Sequence, residues 1–278
     1  MFAEVSFRLA GAENPLLLVP ATVNDRGPYT FILDTGAGAS LISPRLADDL
    51  GVATTGSKEG TDAGGKVTVA LASLDALAIG GARRAPMPIA ITAELDRIGA
   101  AVGARIDGDV GFDFLKDYRV SIDYQKQLVR LLQGAHDAPA APPTRSEVAF
   151  RLASPVKPLV LVSAFVEGKG PYTFAVDTGA SMTAVSSELA SALRIEAAED
   201  GSMTGAGGML KAAVGRVASL TVGAASLENL SVVVSEFLET IGQAMGGRLD
   251  GVVGYNFLRR FRVTIDYPNS MLWLVKTG

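Results

Sequence analysis

The strongest constraint on this chain is that it is one sequence written twice. Sliding it along itself by 143 residues lays VSFRLAGAENPLLLVPATVNDRGPYTFILDTGA over VAFRLASPVKPLVLVSAFVEGKGPYTFAVDTGA. The same shift, with no gap, lays RIDGDVGFDFLKDYRVSIDY (105–124) over RLDGVVGYNFLRRFRVTIDY (248–267). About 50 of the roughly 131 positions paired between 5–135 and 148–278 are identical. Solenoid units run about 20–50 residues, so a repeat this long is a tandem pair of domains. Two copies of one fold are therefore expected, an N-terminal lobe at 1–135 and a C-terminal lobe at 148–278. The intervening HDAPAAPPTRSE (136–147) is rich in Pro and Ala, has no apolar period and reads as a linker.

Within each copy the apolar runs are short and strand-like. PLLLVPATV, YTFIL, VTVALASL and PMPIAITA are separated by Gly, Asn-Asp and Pro punctuation. Two helices per copy interrupt them. SPRLADDLG (43–51) is matched by SSELASALR (186–194), with Ser43 and Ser186 as N-caps, and FDFLKDY (112–118) by YNFLRRF (255–261). The fold class is all-β with small helical inserts, two β-barrel lobes side by side.

Composition narrows the chemistry. Apolar residues make up 48% and charged residues 19%, enough for substantial cores, and a net charge of −4 gives no basic footprint for nucleic acid. There is no cysteine and a single histidine, His136, in the linker. Thiolate chemistry, disulfides, histidine triads and multi-histidine metal sites are therefore excluded. The opening MFAEVSFRLAGAENPLLLV does not read as a secretory signal, and LVLVSAFV (159–166) is far short of the ~20 apolar residues that span a bilayer. A soluble chain is expected, with no membrane span and no cofactor.

What remains are carboxylates, hydroxyls and backbone groups, and one motif uses all three. Asp34-Thr35-Gly36-Ala37 and Asp177-Thr178-Gly179-Ala180 each close an apolar strand. Glycine permits a tight turn and close approach to a neighbouring carboxylate, while threonine places a hydroxyl against the next loop. If the two turns face each other, the carboxyls come within ~3 Å, cannot both ionise, and share one proton. Such a pair activates a water between them, one acid taking its proton as it attacks a peptide carbonyl and the other protonating the carbonyl oxygen.

On these residues the chain resembles the retropepsin-like aspartic peptidases, in particular the bacterial gag-polyprotein-like group, with both halves fused. The resemblance covers each copy nearly end to end. It includes the apolar-apolar-Gly element downstream, Val110-Gly111 within DGDVGFDFL and Val252-Val253-Gly254 within DGVVGYNFL, and the closing strands VSIDYQKQLVRLL and VTIDYPNSMLWLV. It implies a peptide or protein substrate, catalytic roles for Asp34 and Asp177, supporting roles for Thr35, Gly36, Thr178 and Gly179, and a lining role for Ala37 and Ala180. It also implies a hairpin flap over the cleft at GTDAGGKV (60–67) and MTGAGGML (203–210), with Ala63, Gly64 and Gly65, and Ala206, Gly207 and Gly208, near the tips. The flaps lack the tyrosine of pepsins, and Ala37 and Ala180 stand where pepsins carry a hydroxyl. A pair titrating less acidically than pepsin's is the expected consequence.

Other features have plainer readings. GSMTGAGG (201–208) lacks the strand-then-helix context and the Lys-Ser/Thr of a phosphate loop. Asp107 and Asp250 sit in turns and should bond local backbone. Asp123 and Asp266 should anchor structure, with Arg8 and Arg151 as possible partners. The copies differ at 41–42 (Leu-Ile against Ala-Val) and at 130 against 273 (Arg against Trp), which predicts an asymmetric cleft. A non-catalytic peptide-binding module of the same fold stays open as a second function. So does pairing of lobes between chains: a linker of about 12 residues reaching about 35 Å permits it, although an active monomer is expected.

Overall fold

The structure is a computed structural model. It describes residues 1–12, 15–62, 65–134, 145–155, 158–205 and 208–277, with only the strand path at 60–62, 65–67, 199–205 and 208–212. The tips expected at Ala63, Gly64, Ala206 and Gly207, and His136 with most of the linker, lie outside these residues. The strand Arg145–Ala149 begins inside the segment read as linker and belongs to the C-terminal lobe's sheet system.

Strand sequences fold as their patterns dictate. Leu16–Val23 and Arg26–Leu33 form a hairpin whose two turn residues, Asn24 and Asp25, both have positive φ (49° and 60°). That is the two-residue turn whose twist matches right-handed strands, and Asn and Asp tolerate it. Lobe one builds a ten-stranded sheet and lobe two an eight-stranded one. Phe31 and Phe114, and their counterparts Phe174 and Phe257, are fully buried, so the same side chains anchor both copies. Each contributes about 1.5–3 kcal/mol of burial.

The expected helices are present. α1 (Pro44–Leu50) is capped by Ser43, whose hydroxyl accepts from the Leu46 N–H at 3.2 Å. Each lobe also carries a helix that the sequence reading missed. After α1 come α2 (Glu94–Val102), α3 (Phe112–Leu115), α4 (Ser187–Leu193, capped by Ser186), α5 (Phe237–Ala244) and α6 (Tyr255–Leu258). α2 and α5 are the additions. They lack a side-chain N-cap, the signal that marked α1 and α4. The signal present was the spacing of the buried Leu95, Ile98, Gly99 and Val102, an i, i+3, i+4, i+7 stripe. Among the described residues, no helix is long and apolar enough to cross a membrane.

A third sheet joins the lobes. Its six strands run Phe2–Ser6, Leu128–Gln133, Tyr118–Asp123, Phe261–Asp266, Met271–Lys276 and Arg145–Ala149, a palindrome of repeat-matched strands. At its centre Ser121 faces its own counterpart Thr264, with their hydroxyls 2.8 Å apart. The pseudo-two-fold axis passes through this pair.

The axis is broken beside it. Arg119 and Asp266 form a buried ion pair at 2.7 Å, and Trp273 lies under the guanidinium at 5.2 Å. The mirror pair, Asp123 and Arg262, makes no ion pair among the described residues; Asp123 instead accepts the Lys126 N–H at 3.0 Å. Trp273 has Arg130 as its repeat mate, which pairs with Glu4 at 2.6 Å. The 130/273 difference thus acts in the interlobe sheet and not in the cleft. Arg8 and Arg151, expected to partner Asp123 or Asp266, are exposed on short edge strands, and Arg119 takes that role.

Removing one member of a buried pair strands the other charge. Arg119→Met should lower unfolding free energy by roughly 3 kcal/mol, and the mirror change Arg262→Met by less than about 1 kcal/mol. Urea unfolding of the two variants checks this difference, and equal losses would contradict it.

Candidate active site

The site is assembled where the two central strands stop. Arg26–Leu33 ends at Asp34, whose N–H donates to the Val110 carbonyl at 3.0 Å; Lys169–Val176 ends at Asp177, whose N–H donates to Val253 at 3.1 Å. In each loop the carboxylate is held by its own turn. Asp34 Oδ1 accepts from the Gly36 and Ala37 N–H groups at 2.7 and 3.1 Å, and Asp177 Oδ1 from Gly179 and Ala180 at 2.8 and 3.1 Å. Each side chain is thereby oriented before anything binds.

The threonines interlock across the axis. Thr35 Oγ1 donates to the Val176 carbonyl at 3.0 Å and accepts from the Thr178 N–H at 3.0 Å. Thr178 Oγ1 donates to the Leu33 carbonyl at 2.7 Å and accepts from the Thr35 N–H at 3.1 Å. All four bonds are buried and link strand end to strand end within one chain. The glycines explain themselves: a Cβ on Gly36 would overlap the Asp177 carboxyl, and one on Gly179 the Asp34 carboxyl. Each turn is pressed against the opposite acid, which only a residue without a side chain permits.

A second layer holds the turns. The Phe112 N–H donates to the Ala37 carbonyl and the Tyr255 N–H to the Ala180 carbonyl, both at 2.8 Å. Gly111 and Gly254 lie so close to these loops that a Cβ would meet the carbonyls of residues 37 and 180. Ser40 and Asp113 (2.6 Å) tie the loop to α3 in lobe one, and Thr183 with Asn256 (2.8 Å) does the same for α6 in lobe two. The sequence reading passed over these four; their signal was matched polar residues at 40/183 and 113/256. Asp107 and Asp250 hold backbone that is distant in the chain rather than in their own turns, accepting from the Thr30 and Thr173 N–H groups at 2.9 and 2.8 Å, and each also pairs with an arginine, Arg105 and Arg248.

Electrostatically the centre favours protons. Asp34 and Asp177 each lie against the glycine of the opposite turn, and both carboxyls are raised above the usual range. Burial is the main cause for each. For Asp34 the charge of Asp177 adds to it and the Gly36 N–H opposes it. For Asp177 the neighbouring Asp34 carboxyl and the N–H groups of Gly179, Ala180 and Gly36 pull the other way. Two buried tyrosines, Tyr124 and Tyr267, pack edge-on against Tyr255 and Phe112 (centroids 5.6 Å in both cases). Burial raises their hydroxyls, and the charge of Asp177 adds to both.

One further acid stands close by. Asp109 is buried (5% exposed), and burial followed by the charges of Asp177 and Asp113 raises it well above its ordinary value. Its repeat mate is Val252. The signal for it is the Asp/Val mismatch between DGDVG and DGVVG, which otherwise follow one pattern. The flap segments are strand hairpins, with Gly60 paired to Val67 and Asp62 to Gly65, and Met203 to Leu210 and Gly205 to Gly208. Gly65 and Gly208 open their return strands.

Comparison with known proteins agrees with this architecture. A family model described as aspartyl protease matches the chain twice, over residues 19–114 and 162–257. No curated protein matches it. Among solved structures the aspartic proteinase from Irpex lacteus superposes with a TM-score of 0.60 at 14% identity, covering 100% of this chain and 98% of that one. That likeness is one of fold: two lobes, mostly β, in a single chain. By its two family matches, one in each half, this chain belongs to the aspartyl protease family.

Proposed function

We propose that the protein is an aspartic endopeptidase, active as a single chain, in which Asp34 and Asp177 activate one water against a peptide bond. The observation that carries this reading is the threonine interlock, with each aspartate pressed against the glycine of the opposite turn. Two acids held this close cannot both ionise at low cost, so one proton is shared between them. The ionised member takes a proton from the water as its oxygen bonds to the carbonyl carbon. The protonated member gives its proton to the carbonyl oxygen. Collapse of the resulting diol breaks the C–N bond and returns a proton to the amine. The N–H groups of Gly36, Ala37, Gly179 and Ala180 keep the two acids aligned without reorganisation during these steps.

The substrate on this reading is an extended peptide lying between the acids and the two hairpins at 54–74 and 197–222, adding strand-like hydrogen bonds. The same cleft without turnover would be a peptide-binding module, and hydrolysis assays separate the two.

Asp34→Asn and Asp177→Asn should each reduce kcat/KM for a susceptible peptide by more than about a thousandfold while leaving the circular dichroism spectrum intact. A fully active Asp177→Asn protein would defeat the proposal. Wild-type kcat/KM should be bell-shaped in pH with its optimum in mild acid, because burial raises both carboxyls and no hydroxyl at Ala37 or Ala180 opposes it. An optimum near pH ~2, the region of pepsin's lower value, would contradict this.

The same shifts set the sign of a stability effect. A carboxyl raised on folding holds its proton more tightly in the folded state, so its ionisation costs stability as pH rises through the folded value. Wild type should gain thermal stability as pH falls from neutral into mild acid, and Asp34→Asn should flatten that gain. A melting series from pH 4 to 8 on both proteins reads it directly.

A further inference from the structure

We propose that Asp109 selects the substrate: its carboxylate is the docking point for the cationic end of a lysine or arginine side chain entering the cleft beside Asp34. This rests on the peptidase reading and gives it a substrate class.

Strand geometry places the side chain. Asp109 pairs with Ile32 in a parallel ladder and with Leu41 in an antiparallel one. Paired residues share a face, and residues two apart along a strand share it too. Asp109 therefore stands on the face of Ile32, two residues before Asp34 at the end of that strand. The next residue of the Asp109 strand, Val110, accepts the Asp34 N–H at 3.0 Å, and the charge of Asp109 contributes to raising Asp34 as that of Asp177 does to raising Asp109.

This carboxyl has unused capacity. Asp109 Oδ1 is closed to solvent with no hydrogen-bond partner, and among the described residues no cation pairs with the side chain. Leaving an acid in this state costs free energy unless something completes it. Its neighbour Asp113 differs, since it already accepts from the Ser40 N–H, the Ser40 hydroxyl and the Phe114 N–H.

The surroundings define what would complete it. Ile32, Leu95 and Ile98 form a buried apolar cluster, and the partly buried Leu41, which pairs with Asp109, packs against it and is the wall left for a stem. An aliphatic stem ending in a cation fits such a setting, with the stem along the apolar wall and the charge on the carboxylate. In the other lobe the equivalent position is Val252, paired with Ala175 and Ala184. The duplicated cleft therefore carries one acid on one side, which makes the preference directional: a basic residue on one flank of the scissile bond and an apolar one on the other.

The test compares the full-length wild type with Asp109→Val, which installs the residue found at 252, and with the isosteric Asp109→Asn. Cleavage of a mixed-sequence peptide library is mapped, and kcat/KM is then measured for one good peptide carrying lysine, arginine or norleucine at the position under test. Wild type should favour lysine or arginine over norleucine by at least about tenfold at one position, and both variants should lose or reverse that ratio. Cleavage with no basic preference, or a preference unchanged by both substitutions, overturns the role of Asp109 and leaves the peptidase reading standing. If wild type cleaves nothing, the peptidase reading falls. The affinities of the same peptides then decide: a lysine-over-norleucine preference in Kd that Asp109→Val abolishes sustains the docking role, and equal affinities end it.

Discussion

The molecule depends on a four-bond knot between two strand ends. Each of Thr35 and Thr178 uses its hydroxyl to bond the other lobe twice, once as donor to a strand-terminal carbonyl and once as acceptor from the opposing threonine N–H. A typical bond of this kind is worth about 1 kcal/mol net, yet leaving one of these buried groups unmet costs about 1–3 kcal/mol. The knot fixes separation and orientation together, and so presses each glycine against the opposite carboxyl. The interlobe sheet supplies the force that keeps the ends in place, since its central Ser121–Thr264 pair lies on the same pseudo-axis.

Symmetry is tightest where two acids must meet and relaxes away from that point. The turn bonds differ by about 0.1 Å or less between the lobes. In the sheet, Arg119 and Asp266 build a buried ion pair over Trp273, and among the described residues the mirror pair has none. Beside the centre, Leu41 pairs with Asp109 where Ala184 pairs with Val252 in the other half. A duplicated chain keeps both halves of its shared centre alike and varies what surrounds it, because only the centre requires two equal contributions.

Much of this was legible in residue order. The repeat told how many lobes to expect. The strand-Asp-Thr-Gly-Ala turns pointed to Asp34 and Asp177, and Ser43 and Ser186 marked two helices through a local capping interaction that needs no tertiary context. α2 and α5 lack the N-cap side-chain bond that marks α1 and α4, and a stripe of four spaced positions is present in α2 while α5 buries Leu238 and Gly242. The partner of Asp266 was sought in Arg8 and Arg151, which match across the copies. The actual partner, Arg119, is set by strand register across the axis, and no within-copy comparison reveals that.

Sequence alone determined the local chemistry: which acids exist, that they come as a matched pair, that thiols and histidine clusters are absent, and where the chain turns. These follow from covalent identity and from interactions spanning a few residues. Tertiary structure decided which of the duplicated residues remain equivalent. Burial and cross-lobe register left Arg119 paired and Arg262 without an ion pair, and left Asp109 beside the two acids without a hydrogen bond for Oδ1 among the described residues. The physical reason is that desolvation and charge proximity depend on what lies across the fold, and residues far apart in the chain supply it.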